Sequence, residues 1–144
     1  MDYIVYVDDR ADELSRIQSE SKTMLAVELS RLKDLPERLS PGDWLYLTGD
    51  GPQGQVECRC RVQGMEHEDD SEQRQRGIRQ HQDRLQLTDR QWKRCLKARK
   101  LMLVAIHQVE EVEPFRFNRM LFGHGEDWVP VGDIERAKTL TMRK

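Results

Sequence analysis

Apolar residues in this chain come in short runs separated by polar stretches, and the rhythm of those runs predicts the elements. Tyr3-Ile4-Val5-Tyr6-Val7 is β-branched and aromatic, which predicts a strand ended by Asp8-Asp9-Arg10. Leu14 and Ile17 stand three apart and predict a short helix over 12–19. Met24 to Val27 is a second apolar run, read as a strand, with a helical continuation as the alternative. Pro36 interrupts the charged stretch 32–39 and breaks any long helix there. Ser40-Pro41-Gly42-Asp43 is a turn signal that launches a strand over 44–48, and residues 49–54 read as a hairpin loop. Beyond that loop Val56, Cys58, Cys60 and Val62 alternate with Glu57, Arg59, Arg61 and Gln63. One buried and one wet face fit an antiparallel sheet.

The rhythm lapses between Glu66 and Asp83, where Ile78 is the main apolar residue. This stretch reads as either a flexible loop or a solvated helix. It resumes at Leu87-Thr88-Asp89-Arg90-Gln91-Trp92, where Thr88 and Gln91 make a capping box and Leu87 can staple onto Trp92. Trp92, Cys95 and Leu96 then share a helix face. Leu101 to Val112 holds the longest apolar run and predicts a central strand, with Pro114 as its stop and 115–117 as a further short strand. Trp128-Val129-Pro130-Val131 reads as extended, and Asp133 can cap a last helix over 134–138. No repeat or linker divides the pattern, so 1–144 is expected to form one domain, with 118–144 its less certain extension.

Composition changes this picture in two places. Charged residues make up 35% of the chain, yet the apolar 37% is clustered enough to line a core. No run approaches the length of a membrane span, and the first ten residues carry no basic, cleavable leader. Both features predict a cytoplasmic protein without a membrane partner. The net charge of −2 also hides an asymmetry. Between Gln73 and Lys100 ten Lys and Arg face only Asp83 and Asp89, and an acidic run over 66–72 precedes them. A basic surface of that kind attracts phosphates. The same charges can instead pair within a solvated helix and loop.

Candidate chemistry is sparse. Cys58, Cys60 and Cys95 are odd in number; a Cys-x-Cys pair can hold a soft metal, but a closed zinc site usually takes four ligands, so small residues filling a sheet face are the expectation and no metal or cofactor is assigned. There is no Gly-x-x-x-x-Gly-Lys, Gly-x-Ser-x-Gly or His-Glu-x-x-His pattern. Trp44 and Trp128 are candidates to stack on a base, with core packing as the competing role; Trp92 is assigned to the core. His124 lies between Gly123 and Gly125, where backbone can approach a ligand closely.

The order of the elements carries more information than any one motif. It runs from a helix through Ser21-Lys22-Thr23-Met24 to Pro41-Gly42-Asp43-Trp44-Leu45-Tyr46. The second hairpin strand over 54–65 follows, then Asp83-Arg84-Leu85-Gln86-Leu87-Thr88 and the strand from Leu101 towards Pro114. Over residues 1–117 this order resembles the PUA-like superfamily, which includes the ASCH and EVE domains. The resemblance implies an α+β, mainly β fold: a PUA-like partly closed β-barrel of about five to six strands with short flanking helices. It also implies a non-catalytic module that binds RNA or reads a modified base in a cleft. The residues expected to bind are Lys22, Thr23, Trp44, Arg74, Arg76, Arg79, Arg84, Lys93, Lys97, His124 and Trp128, with no catalytic residue assigned. Some ASCH-type proteins hydrolyse modified nucleosides, and in them the Lys-Thr pair runs on into a further Thr and an Arg. Here Leu25 and Val27 stand at those positions. A hydrolase using Lys22 and an acid among Glu68, Asp70 and Glu72 is therefore an alternative. A protein-interaction or regulatory domain docking through 66–83 is another.

Overall fold

The computed structural model describes residues 1–29, 39–50, 55–117 and 127–142, with side chains to 138. His124 and the tip of the 49–54 loop fall outside the described residues. Six strands make one mixed sheet: β1 Asp2–Val7, β2 Met24–Glu28, β3 Trp44–Gly49, β4 Val56–Glu68, β5 Leu101–Phe115 and β6 Trp128–Gly132. The helices are α1 Glu13–Gln18, α2 Ser71–Gln80, α3 Gln82–Leu85, α4 Asp89–Lys97 and α5 Ile134–Met142, with a 3-10 turn at Asp9–Ala11. The strand order is β2-β5-β4-β3-β1-β6. β1 and β3 are parallel, and the other neighbours are antiparallel. Among the described residues no helix is long and apolar enough to cross a membrane.

Period-two alternation builds the core. Val56, Cys58, Cys60 and Val62 are buried while Glu57 and Gln63 are exposed, but the register shift between Val56 and Cys58 puts Val56 in the cluster on the other side of the sheet, not on the one face expected. Cys58, Cys60 and Val62 join Tyr3, Val5, Leu25, Leu45, Val104 and Ile106 on the concave side of the sheet. Two smaller clusters cover the outer side. Ile78, Leu85, Cys95 and Leu101 seat α2, α3 and α4, and Ile4, Tyr46, Val129 and Ile134 seat α5.

The sheet curls into a half-barrel because its two longest strands are irregular. The β4–β5 register shifts three times, between Val56 and Cys58, Arg59 and Arg61, and Val62 and Gly64. Gln108 takes φ 53° beside the second shift. Such bulges bend a strand and increase its twist. They also correct three expectations. β4 extends past Gly64 to Glu68. β5 runs through Pro114 to Phe115, because that proline falls in the first irregular stretch, where no ladder bond needs its missing N–H. No separate strand forms over 115–117. The polar stretch after Glu68 is helical rather than a loop: Asp70 caps α2 through Gln73 N–H, and Gly77 and Ile78 face inward. The capping box of Thr88 and Gln91 forms as expected, and Leu87 and Trp92 pack in the same cluster.

Candidate functional site: a cleft at the open side of the half-barrel

A half-barrel has two free edges. Here β2 forms one, and β6, paired to β1, forms the other. Between them lies a cleft of about 720 Å³. Its walls are the end of β1 (Val5 to Asp8), β2 from Leu25 to Glu28, and Asp127 and Trp128 at the start of β6. Glu13 of α1 closes one end, and α4 covers the cleft with Arg90, Gln91, Arg94 and Cys95. Arg10, Asp50 and Leu87 complete the lining.

Helical spacing explains how α4 serves this position. Cys95 turns to the core, while Arg90 and Arg94, four apart, share the neighbouring face. Arg90 Nη2 meets Asp8 Oδ2 at 3.1 Å, and Arg94 Nε meets Glu28 Oε1 at 3.4 Å. One helix face therefore bridges the end of β1 and the end of edge strand β2. Asp8 does double duty, since its Oδ1 accepts from Arg10 N–H (3.0 Å) and Ala11 N–H (3.3 Å).

Lys22 stands behind Glu13. Its side chain is fully buried and does not line the cleft. The ammonium meets Glu13 Oε2 at 3.2 Å and donates to the Leu85 carbonyl. Glu13 Oε1 accepts from Asp8 N–H at 2.7 Å. Burial lowers the lysine pKa from its ordinary value, against the opposing pull of Glu13. The carboxylate beside Lys22 thus comes from α1, not from the 66–72 run. Thr23 is a junction: its N–H donates to Arg84 O (2.9 Å), its carbonyl accepts from Ile106 N–H (3.0 Å), and its hydroxyl accepts from Arg84 Nε (2.9 Å).

The remaining sequence candidates are dispersed. Trp128 is buried in the cleft wall, edge-on to Tyr3 at 6.5 Å. Trp44 packs on the outer side of the sheet, with the guanidiniums of Arg59 and Arg61 at 3.8 and 4.3 Å from its ring centre. Arg74 donates to the Arg99 carbonyl at 3.0 Å, linking α2 to the end of the α4 segment. Arg76, Arg79, Lys93 and Lys97 are exposed on α2 and α4. Sequence reading singled out none of Asp8, Glu13, Glu28, Arg90 or Arg94. The i, i+4 spacing of Arg90 and Arg94 was a usable signal, but the carboxylates meet them only through sheet curvature.

The cysteines divide between two clusters, Cys58 and Cys60 in one and Cys95 in the other. Burial pushes Cys58 up to about 11 and Cys95 up to about 12, and raises Cys60 as well. Thiols held protonated in this way are poor nucleophiles and poor metal ligands. Among the described residues no three His, Cys, Asp or Glu side chains group as metal ligands.

Comparison with solved structures assigns the fold. The ASCH protein of Zymomonas mobilis superposes with a TM-score of 0.69 over 98% of this chain and 94% of that one, at 11% identity. The fold is that of the ASCH domain, a PUA-like half-barrel. A tyrosine-to-phenylalanine variant of the same protein gives 0.71 over 98% and 97% of the two chains, at 11% identity. A serine-to-alanine variant gives 0.69 over 97% and 94%, also at 11% identity. No family model matches the sequence, and no curated protein does. The ASCH likeness thus lies in the backbone arrangement.

Proposed function

We propose that this ASCH-like domain is a nucleic-acid recognition module that holds one nucleotide of an RNA, or a modified nucleotide, in the cleft. The observation that carries this reading is the rim of the cleft. Arg90 and Arg94 stand there, half exposed, on the helix that also presents Lys93 and Lys97 to solvent. A volume of about 720 Å³ suits a ligand of nucleotide size. The rim guanidiniums offer planar donors to a phosphate, and Lys93 and Lys97 extend positive charge along the same helix for flanking phosphates. Trp128 gives the cleft an apolar wall.

Titration of a labelled single-stranded RNA at several salt concentrations tests the proposal. Affinity should fall steeply with salt. Arg90→Ala and Arg94→Ala should each weaken binding and lower the salt slope by about one. These ion pairs are half exposed, so their loss should change stability by no more than about 1 kcal/mol each. No binding at low salt overturns the reading.

A second reading rests on the Lys22–Glu13 pair. A lysine whose pKa is lowered, joined to a carboxylate in the cleft wall, suits a hydrolase acting on a modified nucleoside. Lys22 would act there through Glu13, since it does not itself face the cleft. Turnover of a modified-nucleoside panel, lost in Lys22→Gln with folding intact, supports this reading. Unchanged turnover excludes it.

A further inference from the structure

The ion-paired groups of the cleft lie at different depths. Arg90 and Arg94 are 50% and 47% exposed, whereas Asp8, Glu13 and Glu28 are only 15%, 15% and 20% exposed. Arg10, Arg90 and Arg94 stand at the rim together with Asp50 and Asp127, which are also exposed, while Asp8, Glu13 and Glu28 lie deeper. An ionised carboxylate only accepts hydrogen bonds. A ligand edge that meets these carboxylates must therefore present donors.

Two of the three inner carboxylates have structural duties. Asp8 caps the 3-10 turn through Oδ1 and meets Arg90 through Oδ2. Glu13 has one oxygen on Asp8 N–H and the other on Lys22. Glu28, at the end of edge strand β2, is different. Among the described residues its contact is one long ion pair, 3.4 Å from Oε1 to Arg94. That contact orients the carboxylate and leaves most of its accepting capacity for a ligand.

The common bases differ sharply in what they offer such a group. Guanine carries N1–H and the exocyclic N2 amine side by side, at a spacing that matches two carboxylate oxygens. Adenine and cytosine carry an amine beside a ring nitrogen that accepts, so the second oxygen meets a lone pair. Uracil places one N–H between two carbonyls.

We infer that the cleft selects guanine, with Glu28, oriented by Arg94, accepting from N1–H and the N2 amine while the phosphate stays at the arginine rim. This rests on the nucleotide-binding reading above and adds its base specificity. Glu28 is the specificity-determining residue, and Arg94 is its positioning residue. The reasoning follows bidentate, charge-assisted hydrogen bonding, which discriminates strongly because a missing donor leaves a buried acceptor unpaired.

Calorimetric titration with the monophosphates of guanosine, inosine, xanthosine and adenosine tests the inference. Guanosine monophosphate should bind about tenfold or more tightly than inosine monophosphate, which lacks only the N2 amine. Glu28→Gln keeps the side-chain size but turns one acceptor into a donor. It should shift the preference from guanosine towards xanthosine monophosphate, whose C2 carbonyl accepts from the new amide. Thermal melting of the variant checks that the fold is kept, and Glu28→Ala should bind the four ligands alike. Equal binding of all four by the native protein overturns the guanine inference and leaves the nucleotide reading standing. An unchanged guanosine-to-xanthosine ratio in Glu28→Gln does the same. Binding of none of the four, with no RNA bound either, overturns both.

Discussion

At the residue scale, Lys22 shows how burial and pairing compete. Taking the ammonium out of water disfavours its charged form, while Glu13 and the Leu85 carbonyl partly restore it. Burial is the larger influence, so the folded-state pKa lies below the ordinary 10.5. The sign of the stability change follows. Between the lowered folded value and 10.5 the unfolded chain binds more protons, so stability rises as pH climbs through that window. Below the folded value the cost of burying the charge is fully present. Lys22→Met should flatten this rise in an alkaline series of denaturant melts. A native slope that is absent, or identical in the variant, contradicts the assignment. The pair was half legible in advance. Lys22 stood in a recognisable Lys-Thr connection, but Glu13, nine residues earlier on α1, carried no mark of its role.

At the element scale, local chemistry decided the helices and long-range pairing decided the strands. The Thr88–Gln91 capping box forms with Thr88 Oγ1 3.3 Å from Gln91 N and Gln91 Oε1 3.0 Å from Thr88 N. Such caps act within one turn, so four residues of sequence suffice to see them. Thr88→Ala should cost about 1 kcal/mol in a denaturant melt, with the baseline spectra unchanged. Because α4 carries the rim arginines, the same change should also loosen RNA binding slightly. Strand ends behaved otherwise. Gly64 and Pro114 looked like stops, yet both lie within strands because register shifts in the β4–β5 pair absorb them. A bulge needs a partner strand to be defined, and that partner lies 41 residues away for Gly64–Ala105 and 59 for Val56–Phe115.

At the scale of the whole molecule, both ends of the chain meet. β6 pairs with β1 from Asp2–Gly132 to Val5–Trp128, and Asp2 Oδ2 accepts from Ile134 N–H at 2.9 Å, holding α5 against the first strand. Val129, Ile134 and Ala137 are buried there. We propose on this ground that β6 and α5 are integral to the domain rather than an appendage. A chain ending at residue 117 should lose cooperative melting and associate, since it would uncover Tyr3 and Ile4 and leave β1 as an open edge. Retention of the native melting temperature by that shortened chain, followed by circular dichroism and size-exclusion chromatography, would overturn the proposal. The cleft is a product of the same scale: it exists only because the curled sheet brings β2 opposite β1 and β6.

By itself the sequence determined the alternating strands, the capped helix α4, the basic stretch and the order of elements that resembles a PUA-like fold. Each rests on neighbours within a few residues, where periodicity, turn chemistry and charge act directly. Only the tertiary structure decided which charges face one another. Arg90 with Asp8, Arg94 with Glu28 and Lys22 with Glu13 are set by sheet curvature and helix docking, which no local pattern encodes. Sequence placed the positive charge on the right helix; the fold placed the carboxylates beneath it and so made the cleft a candidate for reading a base.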